Sequence, residues 1–288
     1  MRNTVLSLLC TLLLFSCTKE NESKPQPSPN RDSLSKGTSV KEPKWEERAE
    51  FGKFFSDANV EGTFLLYDPQ ENQYLVWNPE RARTPYLPAS TFKIFNSLVA
   101  LETGAIKDEN DTISWDGVKR QIPDWNRTHD LRSAIKYSVV WYYQELARRI
   151  GEERMQHYID TANYGNRDIS GGIDRFWLDG GLRITAGQQI DFLVRLHNNT
   201  LPFSQRTMNI VKDIMILKET PDYIYRGKTG WVLRDSTSVG WFVGYLQRGE
   251  KVWFFATNIR MEGDKDVPKR KEITWDILKF LGLVGGEE

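Results

Sequence analysis

Cysteine is almost missing from this chain: 288 residues hold two, Cys10 and Cys17, and nothing beyond residue 17 can form a disulfide. Histidine is nearly as scarce. His129, His157 and His197 are the only three, none falls in a metal-ligand spacing such as H-E-x-x-H, and no metal is expected. Charge of one sign has no excess, since 39 Lys plus Arg balance 39 Asp plus Glu, and the basic surplus of a nucleic-acid binder is absent. After the N-terminus no uninterrupted apolar run is long enough to span a bilayer. The Gly-rich stretches "SGGID" and "LDGGLR" match neither nucleotide-cradling fingerprint. What the chain does have is 39% hydrophobic and 12% aromatic residues, enough for one large core that must hold the fold without covalent staples.

The first residues read as a targeting segment. Met1-Arg2 supply a positive start, and Val5 to Phe15 form an apolar run too short for a membrane helix. "LFSC", Leu14 to Cys17, resembles the lipobox of bacterial lipoproteins, which implies cleavage before Cys17 and lipidation of its thiol. Residues 1–16 are therefore expected to be a signal peptide and 17–44 a lipidated cysteine with a tether. That tether is rich in Ser, Pro, Lys, Asn and Glu, too polar to order itself. The protein would be exported and anchored through lipid on the periplasmic side of a bacterial membrane. Residues 45–288 show no repeat and no further composition break, so they are read as one domain.

Glu46 to Phe55 carries an amphipathic helical pattern, and "VEGTFLLYDPQENQYLVWN" reads as two strands around a polar turn at Asp68 to Asn72. Helical patterns dominate from Ser90 to about Leu217, with loops at residues 108–130 and 163–182. Strands return in "YIYRGKTGW", "STSVGWFVGYLQ" and "KVWFFATNIRM", with a turn at Arg248-Gly249-Glu250, and a last helix runs near Pro268 to Leu281. Strands at both ends with helices between them predict one antiparallel sheet and an inserted helical lobe, an α+β fold with a ligand cleft between the two.

"PYLPASTFKIFNSLVALETG" contains a helix whose apolar positions are Phe92, Phe95, Leu98, Val99 and Leu101, ending before Gly104. Ser90 and Lys93 share its first turn, three residues apart. A cation there opposes the helix dipole, and no carboxylate lies at helical spacing to neutralise it. Between Phe92 and Ile94 the ammonium can be desolvated and its pKa lowered, which would place a base beside a nucleophile.

Three further stretches carry polar residues that packing does not ask for: Ser138 before the helix of "VVWYYQELARRIG", Trp177 in a Gly-rich loop, and Lys228-Thr229-Gly230 at the end of a strand. Ser90-Thr91-Phe92-Lys93, Ser138-Val139-Val140, Tyr164-Gly165-Asn166 and Lys228-Thr229-Gly230, in that order, resemble the motif set of the class D (oxacillinase-type) serine β-lactamases. The resemblance extends through "SGGIDRFWL" and "VPKRKE" with Arg270. It implies a serine β-lactamase/DD-peptidase-like fold and a β-lactam amide as substrate. It also implies that Ser90 is the nucleophile and that Lys93 becomes N6-carboxylysine with carbon dioxide or bicarbonate, no other cofactor being needed. Phe92, Val140, Trp177 and Leu178 would wall the carbamate, with the Trp177 indole N–H bonded to it. Ser138 and Lys228 would serve proton transfer, Ser90 and Trp231 would give the oxyanion donors, and Thr229 and Arg270 would hold the substrate carboxylate. Tyr164, Gly165 and Asn166 are the remaining motif positions. The assembly is expected to be monomer or homodimer. Two rivals share part of the motif set: a β-lactam sensor domain and a DD-peptidase, which acylate and then stall.

Overall fold

The computed structural model describes residues 42–232 and 238–285, so the targeting segment, Cys17 and nearly all of the tether lie outside the described residues. The chain runs through β1 (Lys44–Glu47), α1 (Gly52–Asp57), β2 (Gly62–Asp68), β3 (Gln73–Trp77), α2 (Pro79–Arg83) and α3 (Phe92–Glu102). Helices α4 (Leu131–Lys136), α5 (Val140–Ile150), α6 (Glu152–Thr161), α7 (Ala186–His197) and α8 (Gln205–Ile214) follow. The chain then returns to strands, β4 (Ile216–Glu219), β5 (Ile224–Val232), β6 (Val239–Arg248) and β7 (Lys251–Arg260), and closes with α9 (Lys269–Phe280).

Among the described residues the strands form a single seven-stranded sheet in the order β1-β3-β2-β7-β6-β5-β4. An early hairpin, β2 and β3, and a late meander, β5 to β7, meet at the β2–β7 pairing, where Gly62 lies opposite Ile259. The sheet is not antiparallel throughout: β1 runs parallel to β3, Trp45 opposite Tyr74. The helix expected over Glu46 to Phe55 is corrected by the same observation. Glu46 and Glu47 are extended, and only from Gly52 does the chain become α-helical. Four residues of "KWEE" have no strand signal of their own, and the edge of β3 imposes the conformation.

Side chains alternate across the sheet with period two, so each strand feeds two cores. Leu65, Trp241, Val243, Tyr245 and Ala256 face the helical lobe, while Phe64, Leu66, Phe242, Leu246 and Phe255 pack with α1 and α9. Helix α3 lies in the larger core and is buried on every side from Phe92 to Leu101, polar residues included. The amphipathic face read from its sequence is therefore too narrow a description: this helix is the axis of the lobe. Opposite it, β4 slips register against β5 between Ile216 and Lys218 and pairs no further along β5 than Arg226. This leaves the edge of β5 at Lys228 to Gly230 free of β4 and facing the lobe.

Candidate active site

Ser90 sits in a 3-10 turn, Ala89–Thr91, that runs directly into α3. Ala89 has φ +50°, a left-handed conformation that costs a residue with a Cβ about 1–2 kcal/mol. Neighbouring bonds hold it there. The Ala89 N–H donates to the Trp177 carbonyl at 3.0 Å, and the Trp241 indole N–H donates to the Leu87 carbonyl at 2.9 Å.

Lys93, one residue into α3, is completely buried, and its Nζ donates to Ser90 Oγ at 2.7 Å. Burial pushes its amine well below the ordinary lysine range, and the positive charge of Lys228 pushes it further. A lysine amine whose neutral form is favoured in this way can act as a base toward the hydroxyl it touches. The Tyr143 ring centroid lies 5.4 Å from Nζ, so one wall of this chamber is aromatic.

Ser138 occupies the turn between α4 and α5 with φ +55°. Its Oγ accepts from Lys228 Nζ at 3.0 Å, which ties the lobe to β5. Lys228 is buried as well, its pKa brought down to about 7 by desolvation first and by the Arg270 charge second. Beside it, Gly230 has no room for a side chain: a Cβ would stand 2.8 Å from the Pro88 carbonyl oxygen and 3.1 Å from Ser90 N. Absence of that Cβ is what lets β5 approach the backbone of the Ser90 turn. Trp231 follows at the surface, 38% exposed.

Where β5 meets α4, α8 and α9, Thr229 and Arg270 line a cleft of about 840 Å³ with Lys136, Asp213, Lys228 and Pro268. Arg270 is buried on α9, its Nη1 donates to the Met261 sulfur at 3.6 Å, and its Nε has no hydrogen-bond partner among the described residues. Desolvation lowers its pKa to about 10, so it is still a cation at neutral pH. A buried guanidinium beside a cleft, with no carboxylate partner among the described residues, can receive an anion, and its fork geometry suits a carboxylate.

The Gly-rich loop folds back against α3. Trp177 is fully buried and stacks on Phe92 at 5.2 Å, and its indole Nε1 has no hydrogen-bond partner among the described residues. Leu178 and Val140 are half-buried. Tyr164, Gly165 and Asn166 clasp this loop. Asn166 donates from its backbone N–H to the Arg183 carbonyl and from its side-chain amide to the Gly181 carbonyl, both at 2.9 Å, and accepts from Arg183 N–H at 2.9 Å. Gly165 has φ +56°, and a Cβ there would collide with the Arg183 carbonyl oxygen at 2.3 Å. The ring of Tyr164 meets Phe92 edge-on. This motif shapes the loop that presents Trp177.

The expected site residues come from six separate segments, around positions 90–93, 138–140, 164–166, 177–178, 228–231 and 270. Gln189 and Trp241, which brace the Ser90 turn through Thr91 and the Leu87 carbonyl, carry no local sequence signal, because these contacts join distant segments. Among the described residues no three His, Cys, Asp or Glu side chains gather as metal ligands. His129 is buried in bonds to Ser133 Oγ and the Asp124 carbonyl, a packing role.

Comparison with known proteins agrees with this geometry. The family profile described as the penicillin binding protein transpeptidase domain matches residues 62–279. The chain is 45% identical over 235 residues to the β-lactamase OXA-48 of Klebsiella pneumoniae, covering 82% of this chain and 89% of that one. It is 47% identical over 226 residues to the probable β-lactamase YbxI of Bacillus subtilis, covering 78% and 83%. Among solved structures, the class D β-lactamase YbXI from Nostoc superposes with a TM-score of 0.80 at 50% identity, covering 81% of this chain and 99% of that one. The class D β-lactamase FUS-1 (OXA-85) from Fusobacterium nucleatum does so with 0.81 at 38% identity, covering 83% and 100%. With the serine and lysine of the nucleophile turn in contact on this fold, and with identities of this size over most of the chain, the protein belongs to the class D β-lactamase family.

Proposed function

We propose that this protein hydrolyses the amide of β-lactam antibiotics, penicillins among them, through an acyl-enzyme on Ser90. The observation that carries the reading is the buried, deprotonated-prone Lys93 amine in contact with the Ser90 hydroxyl at 2.7 Å. Carbamylation of Lys93 by carbon dioxide is part of the proposal. It is supported by the neutral amine, which is the form that attacks carbon dioxide, and by the orphaned Trp177 N–H, which lacks the acceptor a carbamate would bring. Once formed, the modification supplies an anionic base beside Ser90.

Ser90 Oγ attacks the lactam carbonyl as its proton leaves toward position 93, and the backbone N–H groups of Ser90 and Trp231 receive the oxyanion. Ser138 Oγ hands a proton to the departing lactam nitrogen. Lys228, 3.0 Å away and titrating near 7, resupplies it. Thr229 and Arg270 hold the substrate carboxylate in the cleft. Water then attacks the ester on Ser90, and the same base accepts its proton.

Export belongs to the proposal too. Met1-Arg2 and the apolar run to Phe15 support a signal peptide over 1–16, and "LFSC" supports lipidation at Cys17, a tether over 17–44 and a periplasmic membrane anchor, with the catalytic domain acting as monomer or homodimer.

Penicillin turnover by the purified protein with and without bicarbonate tests the mechanism. Many turnovers, raised by bicarbonate, are expected. One equivalent consumed and then a stall would replace the hydrolase with an acylating sensor or peptidase.

A further inference from the structure

Gln189 is a buried amide on α7, in a helix face otherwise made of Ile190, Phe192, Leu193 and Leu196. An amide among such neighbours costs stability unless it is bonded, and a Leu or Met would pack there without that cost. Its Nε2 donates to Thr91 Oγ1 at 2.8 Å across 98 residues of sequence. Thr91 Oγ1 in turn donates to the Pro88 carbonyl at 2.7 Å, and the Thr91 N–H reaches the same oxygen at 3.2 Å. A hydroxyl has one proton; with that proton committed to Pro88, Gln189 is left as donor and the relay has one direction.

The Pro88 oxygen at its end is the atom nearest the space where a Cβ on Gly230 would lie, at 2.8 Å, with Ser90 N at 3.1 Å from the same point. Between Pro88 and Ser90 stands Ala89, in its left-handed conformation. The relay therefore terminates on the Pro88–Ala89 peptide, which adjoins the Ala89–Ser90 peptide that carries the Ser90 N–H. We infer that Gln189 is a positioning residue for catalysis, which through Thr91 and the Pro88 carbonyl holds the nucleophile turn so that the Ser90 N–H points at the developing oxyanion. The inference rests on Ser90 being the nucleophile, and a Ser90 adduct detected by mass in the parent protein tests that assignment separately.

The decisive variant is Gln189→Met, which keeps volume and removes the donor. Acylation by a penicillin is expected to slow by about ten- to a hundredfold, below the loss on deleting an oxyanion donor outright, while KM changes little. Affinity for a tetrahedral boronate, whose oxygen occupies the same position as the oxyanion, is expected to fall in parallel with the acylation rate. Thr91→Ser keeps the hydroxyl and should retain most activity, whereas Thr91→Val breaks the relay at its other end and should reproduce the Gln189→Met defect. That second variant also serves if Gln189→Met does not fold. Gln188→Ala is the control: it removes the side chain that caps the start of α7, lowers the melting temperature and leaves turnover unchanged. If Gln189→Met and Thr91→Val lose only melting temperature, as the control does, with acylation and boronate affinity intact, Gln189 is a packing residue and the inference is overturned.

Discussion

Replacing Trp177 with Phe isolates the single hydrogen bond that the proposed carbamate on Lys93 would accept from the indole. The indole ring lies against Phe92, and a phenyl ring keeps that stack while removing an N–H that has no acceptor in the unmodified protein. A carbamate on Lys93 would be the acceptor, and a hydrogen bond to a charged group is worth about 1.5–3 kcal/mol. At about 1.4 kcal/mol per tenfold, its loss weakens carbon dioxide binding at Lys93 by roughly 10- to 140-fold. Melting temperature is the wrong readout, because the missing five-membered ring leaves a void whether or not Lys93 is modified. The assay is penicillin turnover against bicarbonate at fixed pH, together with carbon-13 NMR of the adduct from labelled bicarbonate. The half-activating bicarbonate concentration should rise by that factor, and saturating bicarbonate should restore much of the rate. An unchanged half-activating concentration would refute the assignment of the Trp177 N–H.

Lys93→Ala should lower penicillin turnover by about 10²- to 10⁴-fold, the range of a general base, with no response to bicarbonate. The Lys93 pKa is depressed, so the amine is neutral above that pKa and protonates below it. Activity should therefore be lost as pH falls through it, and a pH–rate profile with added bicarbonate should show the midpoint displaced to lower pH. Arg270→Ala should raise KM by removing the carboxylate receptor. Because its charge is the second cause lowering Lys228, the profile limb near 7 should move upward, and an unmoved limb would mean that it belongs to another group. Gly230→Ala should cost about 10²-fold in turnover, the penalty for shifting a reacting group by a fraction of an ångström to an ångström, since the added Cβ meets backbone atoms of the nucleophile turn that cannot rotate away.

Much of this architecture was legible from the chain. The β2–β3 hairpin, the three late strands and the last helix follow from period-two and period-3.6 patterns, and the nucleophile helix follows from its apolar spacing with Gly104 beyond its end. What escaped was imposed from elsewhere. Strands β1 and β4 are four residues each, and their conformation comes from the neighbours they pair with; α2 is a single turn begun by Pro79 and capped by the Asn78 side chain. Of the site, the pairs that the fold brings into contact, Ser90 with Lys93 and Ser138 with Lys228, could be singled out from the order of their motifs. The strain at Ala89 and the relay from Gln189 could not, since both arise from backbone pressed between a strand and a helix distant in sequence.

The join between β2 and β7 has a consequence for when the enzyme exists at all. The hairpin that starts the domain and the meander that ends it must pair before the sheet is closed, and the side chains at positions 90, 138, 228 and 270 are brought together by that closure. Contacts this far apart in sequence form late and slowly. A chain still emerging from the ribosome lacks β5 to β7 and α9 and therefore has neither the Lys228 contact to Ser138 nor Arg270 beside the cleft. The site is thereby complete only in a chain whose last strands and last helix are in place, a condition set by strand order.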